Sequence, residues 1–203
     1  NGNNQGVMLY GGVWTSGGAV IDIRLVGGKD SLWIRYGTSS NRLQLQTPDD
    51  SLPAGVWAHC LITYDGGTTG AGSGNINDYY NRFNMFIDGV SQTKTGTHNN
   101  YGYTNAITGS VFKVGESGQS QSLRDVKLDE IAIWSSDETA NVASIYNSGA
   151  PFDLSTLTSD PLHWWRMGDG DTYPTLTDSG SSANCDLTMN NMTAASIVSD
   201  VPN

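Results

Sequence analysis

Short runs of alternating hydrophobic and polar residues, separated by clusters of Gly, Asn, Asp and Ser, cover most of the chain. Residues 31–36 (SLWIRY) and 42–47 (RLQLQT) alternate strictly, so one face of each strand is apolar and the other polar, as in antiparallel sheets. Residues 56–64 (VWAHCLITY) form the most apolar run and predict a central strand. Asp88-Gly89 predicts a tight hairpin turn between two further strands. The pattern therefore predicts an all-β protein built from antiparallel sheets.

One segment follows a helical period instead. Val142, Ile145 and Tyr146 fall on one face at helical spacing, and Gly149 ends the pattern. Ser135, with a Glu three residues later, predicts a capping box at the start. We expect one short helix with a structural role.

The rest of the chain shows no composition break or linker-like run. The sequence therefore predicts a single domain over residues 1–193, followed by an exit segment over residues 194–203. The 203 residues suffice for a sizeable core.

Charge excludes two classes of partner. The chain has 10 Lys and Arg against 20 Asp and Glu, a net charge of −10. Nucleic-acid binding needs clustered cations, and anionic membrane surfaces attract basic segments, so neither partner is expected. No run approaches the roughly 20 apolar residues of a membrane-spanning helix, so membrane insertion is not expected either.

The two cysteines leave their redox state open. Cys60 lies within an apolar strand pattern, where a free thiol behaves as a small buried hydrophobe. A disulfide between Cys60 and Cys185 is the alternative.

Catalytic patterns are not evident. Glycosidic hydrolysis needs two carboxylates flanking the scissile bond, and the nearest pair is Asp129-Glu130. Adjacent acids on a strand point to opposite faces and cannot share one substrate. His59, His98 and His163 have no recognisable partner pattern, so we expect the protein not to be an enzyme.

Two sets of residues are candidates for binding. Calcium is the candidate cofactor, because Asp129 and the acidic run Asp169-Gly170-Asp171, with Asp178 beyond it, offer hard oxygen ligands; solvated turn acids are the alternative. Two polar loops also concentrate aromatic and amide side chains suited to sugars or proteins. The predicted ligand-binding residues in these loops are Tyr79, Tyr80, Asn99, Tyr101 and Tyr103; the alternative is that they fold back onto the sheets.

Several segments, taken in order, resemble the laminin-G-like branch of the concanavalin A-like lectin/glucanase superfamily. Residues 56–66 (VWAHCLITYDG) are similar to its W-H-H-V-A-V-T-Y-D-G strand, and residues 83–90 (FNMFIDGV) to its L-Y-V-D-G-V hairpin. Residues 128–134 (LDEIAIW) are similar to its I-D-E-V-R-I-Y strand. The resemblance implies a jelly-roll sandwich of two antiparallel sheets. It also implies a metal near the sandwich rim in many members, onto which only Asp129 maps.

The C-terminal third resembles laminin-G-like modules of tailed, particularly marine, bacteriophage virion proteins. The segments concerned are residues 151–154 (PFDL), 163–169 (HWWRMGD), and the ending from 189–192 (MNNM) to 200–202 (DVP). This resemblance implies a non-enzymatic module on the virion surface, in a head decoration, fibre or tail appendage, used for attachment or display. Its partners would be other virion proteins or host-surface glycans, and it would act as a homo-oligomer or within a larger assembly.

Three other functions remain open on the sequence. The chain could be a secreted bacterial carbohydrate-binding module or adhesin, located outside the cell or on its surface. It could be a structural cement module without a ligand, since protein and glycan partners both favour exposed Tyr and Asn. A glycoside hydrolase is the third, and it lacks the paired acids.

Overall fold

A computed structural model of the chain describes residues 4–11, 19–67, 80–99, 107, 109 and 111–199, with the backbone alone for residues 97–99. The chain divides into two compact units, Asn1–Asp125 and Val126–Asn203. The prediction of one domain over residues 1–193 stays a prediction.

The first unit is built from antiparallel strands arranged in two sheets. In its described part the strands are β1 (Gln5–Gly11), β2 (Val20–Val26), β3 (Ser31–Gly37), β4 (Arg42–Gln46), β5 (Cys60–Tyr64), β6 (Phe83–Ile87), β7 (Val90–Ser91), β8 (Thr95–Asn99) and β9 (Val111–Val114). One sheet has six strands in the order β8-β4-β3-β2-β1-β9, and the other has three in the order β5-β6-β7. The fold class read from the alternation, all-β with antiparallel sheets, is confirmed.

The two sheets pack on each other through one apolar core. The six-stranded sheet contributes Leu32 and Ile34 from β3 and Leu45 from β4, and the three-stranded sheet contributes Phe83 and Met85 from β6. These side chains are 0–5% exposed. Because successive side chains on a strand point to opposite faces, the residues between them lie on the other side of their sheet.

The Asp88-Gly89 turn joins β6 to β7 as the sequence predicts. Ile87 pairs with Val90, so the loop has two residues, and both have positive φ angles, 49° and 74°. Two left-handed residues give the turn twist that matches a hairpin, which explains the Asp-Gly pair.

A loop over residues 115–123 folds back onto β1. A bridge between Glu116 and Ser122 closes the loop, and the Gly6 N–H donates to Gln121 O at 3.1 Å. A Cβ at Gly6 would lie 2.0 Å from Ser117 N, so only glycine allows this contact.

The second unit contains short elements. They are β10 (Ile131–Ile133), α1 (Val142–Tyr146), β11 (His163–Trp165), β12 (Thr175–Leu176) and β13 (Leu187–Thr188). β10 pairs with β11, and β12 with β13, all antiparallel. Single 3₁₀ turns flank α1 on both sides, Thr139–Asn141 and Asn147–Gly149.

Several sequence expectations differ from the structure. Residues 56–64 predict a central strand, but β5 spans only Cys60–Tyr64 and lies at one end of the order described for the three-stranded sheet. The capping box from Ser135 is wrong, because Glu138 instead accepts from Ser136 Oγ and Asn141 Nδ2, both at 2.6 Å. Cys60 is exposed, because it begins β5 at the sheet end; it and Cys185 are both free cysteines.

Candidate functional site

The outer face of the six-stranded sheet, opposite the core, carries a set of cationic, aromatic and amide side chains on three consecutive strands. We call it the arginine–tryptophan face and define it by Arg24, Trp33, Arg35, Arg42, Gln44 and Gln46. The register sets its rows: Arg24 is opposite Trp33, and Trp33 is opposite Gln46. Arg35 is likewise opposite Gln44. These residues alternate with core residues along each strand, so the sheet places them together on one face.

Arg24 anchors the buried end of this face. Its Nε donates to Asp22 Oδ2 at 2.9 Å, and its Nη2 also bonds that oxygen. Its Nη1 donates to Gln119 Oε1 at 2.8 Å and to Gln121 Oε1 at 2.5 Å. Both charged side chains are 0% exposed. Because a buried charge is tolerated only when it is paired and hydrogen-bonded, this network fixes the 115–123 loop on the sheet.

The other end of the face is partly exposed. The Arg35 and Arg24 guanidinium carbons lie 4.3 Å and 5.2 Å from the Trp33 ring centroid, within cation–π range. Gln44 Oε1 accepts from both Arg35 Nε and Arg42 Nε at 3.1 Å. Trp33, Arg42 and Gln44 are all half-buried, whereas Arg35 is 5% exposed. The face therefore offers an aromatic ring, an amide and a guanidinium to solvent.

The electrostatic environment of Arg35 is unfavourable to its charge. Burial, followed by the neighbouring Arg24 guanidinium, lowers the pKa of Arg35 to about 10. Asp22 opposes this shift, and Arg42 adds a smaller lowering. The guanidinium stays protonated at neutral pH, but its positive charge is less well stabilised there than in water.

The residues predicted from the polar loops are partly outside the described structure. Tyr79, Tyr101 and Tyr103 lie outside the described residues. Tyr80 is half-buried and packs against the core cluster, with the Lys94 ammonium 4.6 Å from its ring centroid. Asn99 ends β8 and pairs with Arg42.

Sequence reasoning missed the arginine–tryptophan face, although the signal was present. Asp22 and Arg24, Trp33 and Arg35, and Arg42 and Gln44 occupy every second position of three consecutive strands. Consecutive strands joined by short turns are neighbours in an antiparallel meander, so the polar positions of all three share one face.

In the second unit, Asp129 lies beside a hydrogen-bonded acid. Glu130 Oε2 accepts from Trp164 Nε1 at 2.5 Å, and Arg166 lies between Glu130 (3.4 Å) and Asp169 (2.8 Å). Burial raises the pKa of Asp129, and Asp169 adds to the rise. Burial also raises the pKa of Glu130, against the Trp164 hydrogen bond.

The expected strand geometry at this acid pair is wrong. Asp129 and Glu130 precede β10, and Glu130 has a φ of 50°, so they do not alternate across a strand. Among the residues that the structure describes, no three His, Cys, Asp or Glu side chains are grouped to hold an ion. Calcium binding at Asp129 stays a prediction.

Asp178 is the most extensively hydrogen-bonded acid of the second unit's described part. Its Oδ1 accepts from the N–H groups of Trp164 and Gly180, both at 3.0 Å. Its Oδ2 accepts from Cys185 N at 3.2 Å and lies 2.6 Å from His163 Nδ1. Burial alone would raise the pKa of Asp178, but the hydrogen bonds from His163, Trp164 and Gly180 outweigh it and lower the pKa.

Cys185 joins this network through its backbone N–H, which donates to Asp178. Burial raises the pKa of the Cys185 thiol, and the Asp178 and Asp186 carboxylates raise it further. A nucleophilic cysteine needs the opposite, a lowered pKa. The arrangement therefore positions β11 rather than activating the thiol.

A laminin-G-type family model, described as the concanavalin A-like lectin/glucanases superfamily, matches residues 2–145. The chain belongs to this superfamily. The match covers both sheets of the first unit and extends through β10 into α1. No curated protein and no solved structure matches the chain.

Membership in the concanavalin A-like superfamily agrees with the two antiparallel sheets packed over one core. The fold is compatible with a carbohydrate-binding or adhesion module. Within the described residues, no helix has the length and apolar character needed to cross a membrane.

Proposed function

We propose that this chain is a non-enzymatic surface module of a bacteriophage virion, in a head decoration, fibre or tail appendage, which mediates attachment or display by binding glycans. The observation that carries the glycan-binding part is the arginine–tryptophan face. Its partly exposed end presents the half-buried Trp33 ring, Gln44 amide and Arg42 guanidinium.

The chemistry of this face suits a sugar. An aromatic ring packs against the C–H face of a pyranose, and planar amide and guanidinium groups donate to its hydroxyl oxygens. The rows of the sheet repeat at about 4.8 Å across strands, so several donors reach one ligand at once. The strands hold these side chains more rigidly than a loop would.

The virion part of the proposal is supported by the resemblance of residues 151–154, 163–169 and 189–192 to phage laminin-G-like modules. A homo-oligomer or larger assembly fits a shallow sugar-binding face, because several weak contacts made together raise the overall avidity. Calcium, bound through Asp129, is the cofactor that this family resemblance implies.

A glycan array with the purified chain tests glycan binding. Trp33→Ala should remove binding, because it deletes the aromatic platform of the face. Tyr173→Ala is the matched control, since it deletes a 40% exposed aromatic side chain in the second unit. If the array is negative for the wild-type chain, or if both variants bind like the wild type, glycan binding by this face is wrong.

Immunogold electron microscopy tests the virion assignment. Antibodies against the chain should label the surface of intact particles. Label found only on bacterial cells or in their culture medium would instead support the secreted carbohydrate-binding module or adhesin.

A further inference from the structure

The arginine–tryptophan face is positively charged in a strongly acidic protein. Arg24, Arg35 and Arg42 lie on adjacent strands, while the whole chain has a net charge of −10. Asp22 is hydrogen-bonded to Arg24. At the sheet end, Asp49 accepts from Gln46 and is ion-paired with Lys29 at 3.2 Å. The four cationic side chains named here outnumber the two carboxylates, so this part of the sheet carries an excess of positive charge.

The positions of the three guanidinium groups give them different roles. Arg24 is fully buried, and its donors bond Asp22, Gln119 and Gln121. Arg35 is 5% exposed. Arg42 is half-buried at the open end. A ligand would therefore contact Arg42. The charge of Arg24 is compensated by Asp22, so the buried positive charge that acts on the ligand through its electrostatic field is that of Arg35.

The cost of keeping these charges together points to an anion. The lowered pKa of Arg35 reports the combined burial and repulsion from Arg24 and Arg42. An anionic group at Arg42 would offset that repulsion, which a neutral hydroxyl group would do only weakly.

We propose that the ligand of this face is an anionic saccharide, whose carboxylate or sulfate group binds at Arg42 while a neighbouring sugar ring packs on Trp33. The inference rests on the proposed glycan-binding function. Trp33 is opposite Gln46, and Arg42 lies four residues from Gln46 along β4, which is roughly 13 Å at the strand rise per residue, so the ligand is longer than one sugar ring.

Calorimetric titration with three oligosaccharides of equal length tests the inference: one neutral, one carboxylated and one sulfated. An anionic ligand should bind about tenfold more tightly than the neutral one, since a charge-assisted hydrogen bond is stronger than a neutral one. That preference should shrink as salt is raised. The carboxylated and sulfated arms show which anion the face takes.

Variants separate this inference from glycan binding itself. Arg42→Gln should lower affinity for the anionic ligand about tenfold, and affinity for the neutral ligand clearly less, because the glutamine amide still donates to a hydroxyl group but carries no charge. Lys113→Ala is the matched control. It removes an exposed cation of the same sheet on β9, four strands from β4, or roughly 19 Å away, and should bind like the wild type. Thermal melting of each variant checks that it is folded.

Each outcome has a defined meaning. Neutral and anionic ligands bound equally by the wild-type chain, with Arg42→Gln unchanged and Trp33→Ala inactive, would overturn the anionic preference and leave glycan binding standing. Equal losses of affinity for the anionic ligand in Arg42→Gln and Lys113→Ala would mean that the preference follows the net charge of the protein, and would overturn the assignment of Arg42 as the anion-binding residue. No binding of any of the three would overturn both proposals.

Discussion

Replacing the buried Asp178 by alanine should destabilise the second unit more than removing an exposed carboxylate from the same unit. The Asp178 side chain is 0% exposed and accepts hydrogen bonds from Trp164 N, Gly180 N and Cys185 N, in addition to its contact with His163 Nδ1. These partners belong to three separate stretches of chain, on β11 and in the segments around residues 180 and 185. One carboxylate therefore holds them together.

The magnitude follows from the donors left without an acceptor. Each buried donor that loses its acceptor costs about 1–3 kcal/mol. With some donors recovering water, the total for Asp178→Ala is about 3–6 kcal/mol, a large share of the 5–15 kcal/mol typical of a domain. Asp178→Asn should cost about half as much, because the amide oxygen can still serve Trp164 N and Gly180 N.

The pH dependence has a definite sign. The pKa of Asp178 is lowered in the folded state, so its contribution is fully present above the unfolded-state value of about 3.9. That contribution is lost as the pH falls below this value and through the folded-state pKa. The difference in stability between the wild type and Asp178→Asn should therefore be constant near neutral pH and shrink below about pH 4.

Urea denaturation followed by tryptophan fluorescence measures both effects, since Trp164 and Trp165 lie on β11. Asp137→Ala is the matched control. Asp137 is an exposed carboxylate in the same unit that accepts from Thr139 N at 3.0 Å and Thr139 Oγ1 at 2.6 Å, and its loss should cost about 1 kcal/mol or less because water replaces it. Equal losses for Asp178→Ala and Asp137→Ala would refute the reasoning from burial.

Two further predictions concern the buried ion pair and calcium. Arg24→Met should destabilise the first unit by about 3–5 kcal/mol, because it leaves the Asp22 carboxylate buried without its cation. The double variant Asp22→Leu, Arg24→Met should lose less stability than Arg24→Met alone. Urea denaturation that finds the double variant less stable than Arg24→Met would contradict this. Calcium should raise the melting temperature by mass action, and EDTA should abolish that increase. Asp129→Asn should also remove the increase. Calorimetric scans in which calcium does not change the melting temperature would exclude the metal.

The sequence by itself determined the fold class and the position of the Asp88-Gly89 turn. The strict alternation over residues 31–36 and 42–47 predicts β3 and β4, and Asp88-Gly89 predicts the turn between β6 and β7. These features are local, because side-chain alternation and positive φ angles depend on a few neighbouring residues. The superfamily could be identified for the same reason, since its motifs are such local segments.

Tertiary structure alone decided which polar residues meet. Arg24 and Gln121 are 97 positions apart, and only the return of the 115–123 loop onto β1 brings their side chains within hydrogen-bonding distance. Cys60 follows the same rule: its apolar neighbours predicted burial, but its place at the sheet end exposes it. Alternation tells which side chains share a face, whereas what covers that face depends on distant segments.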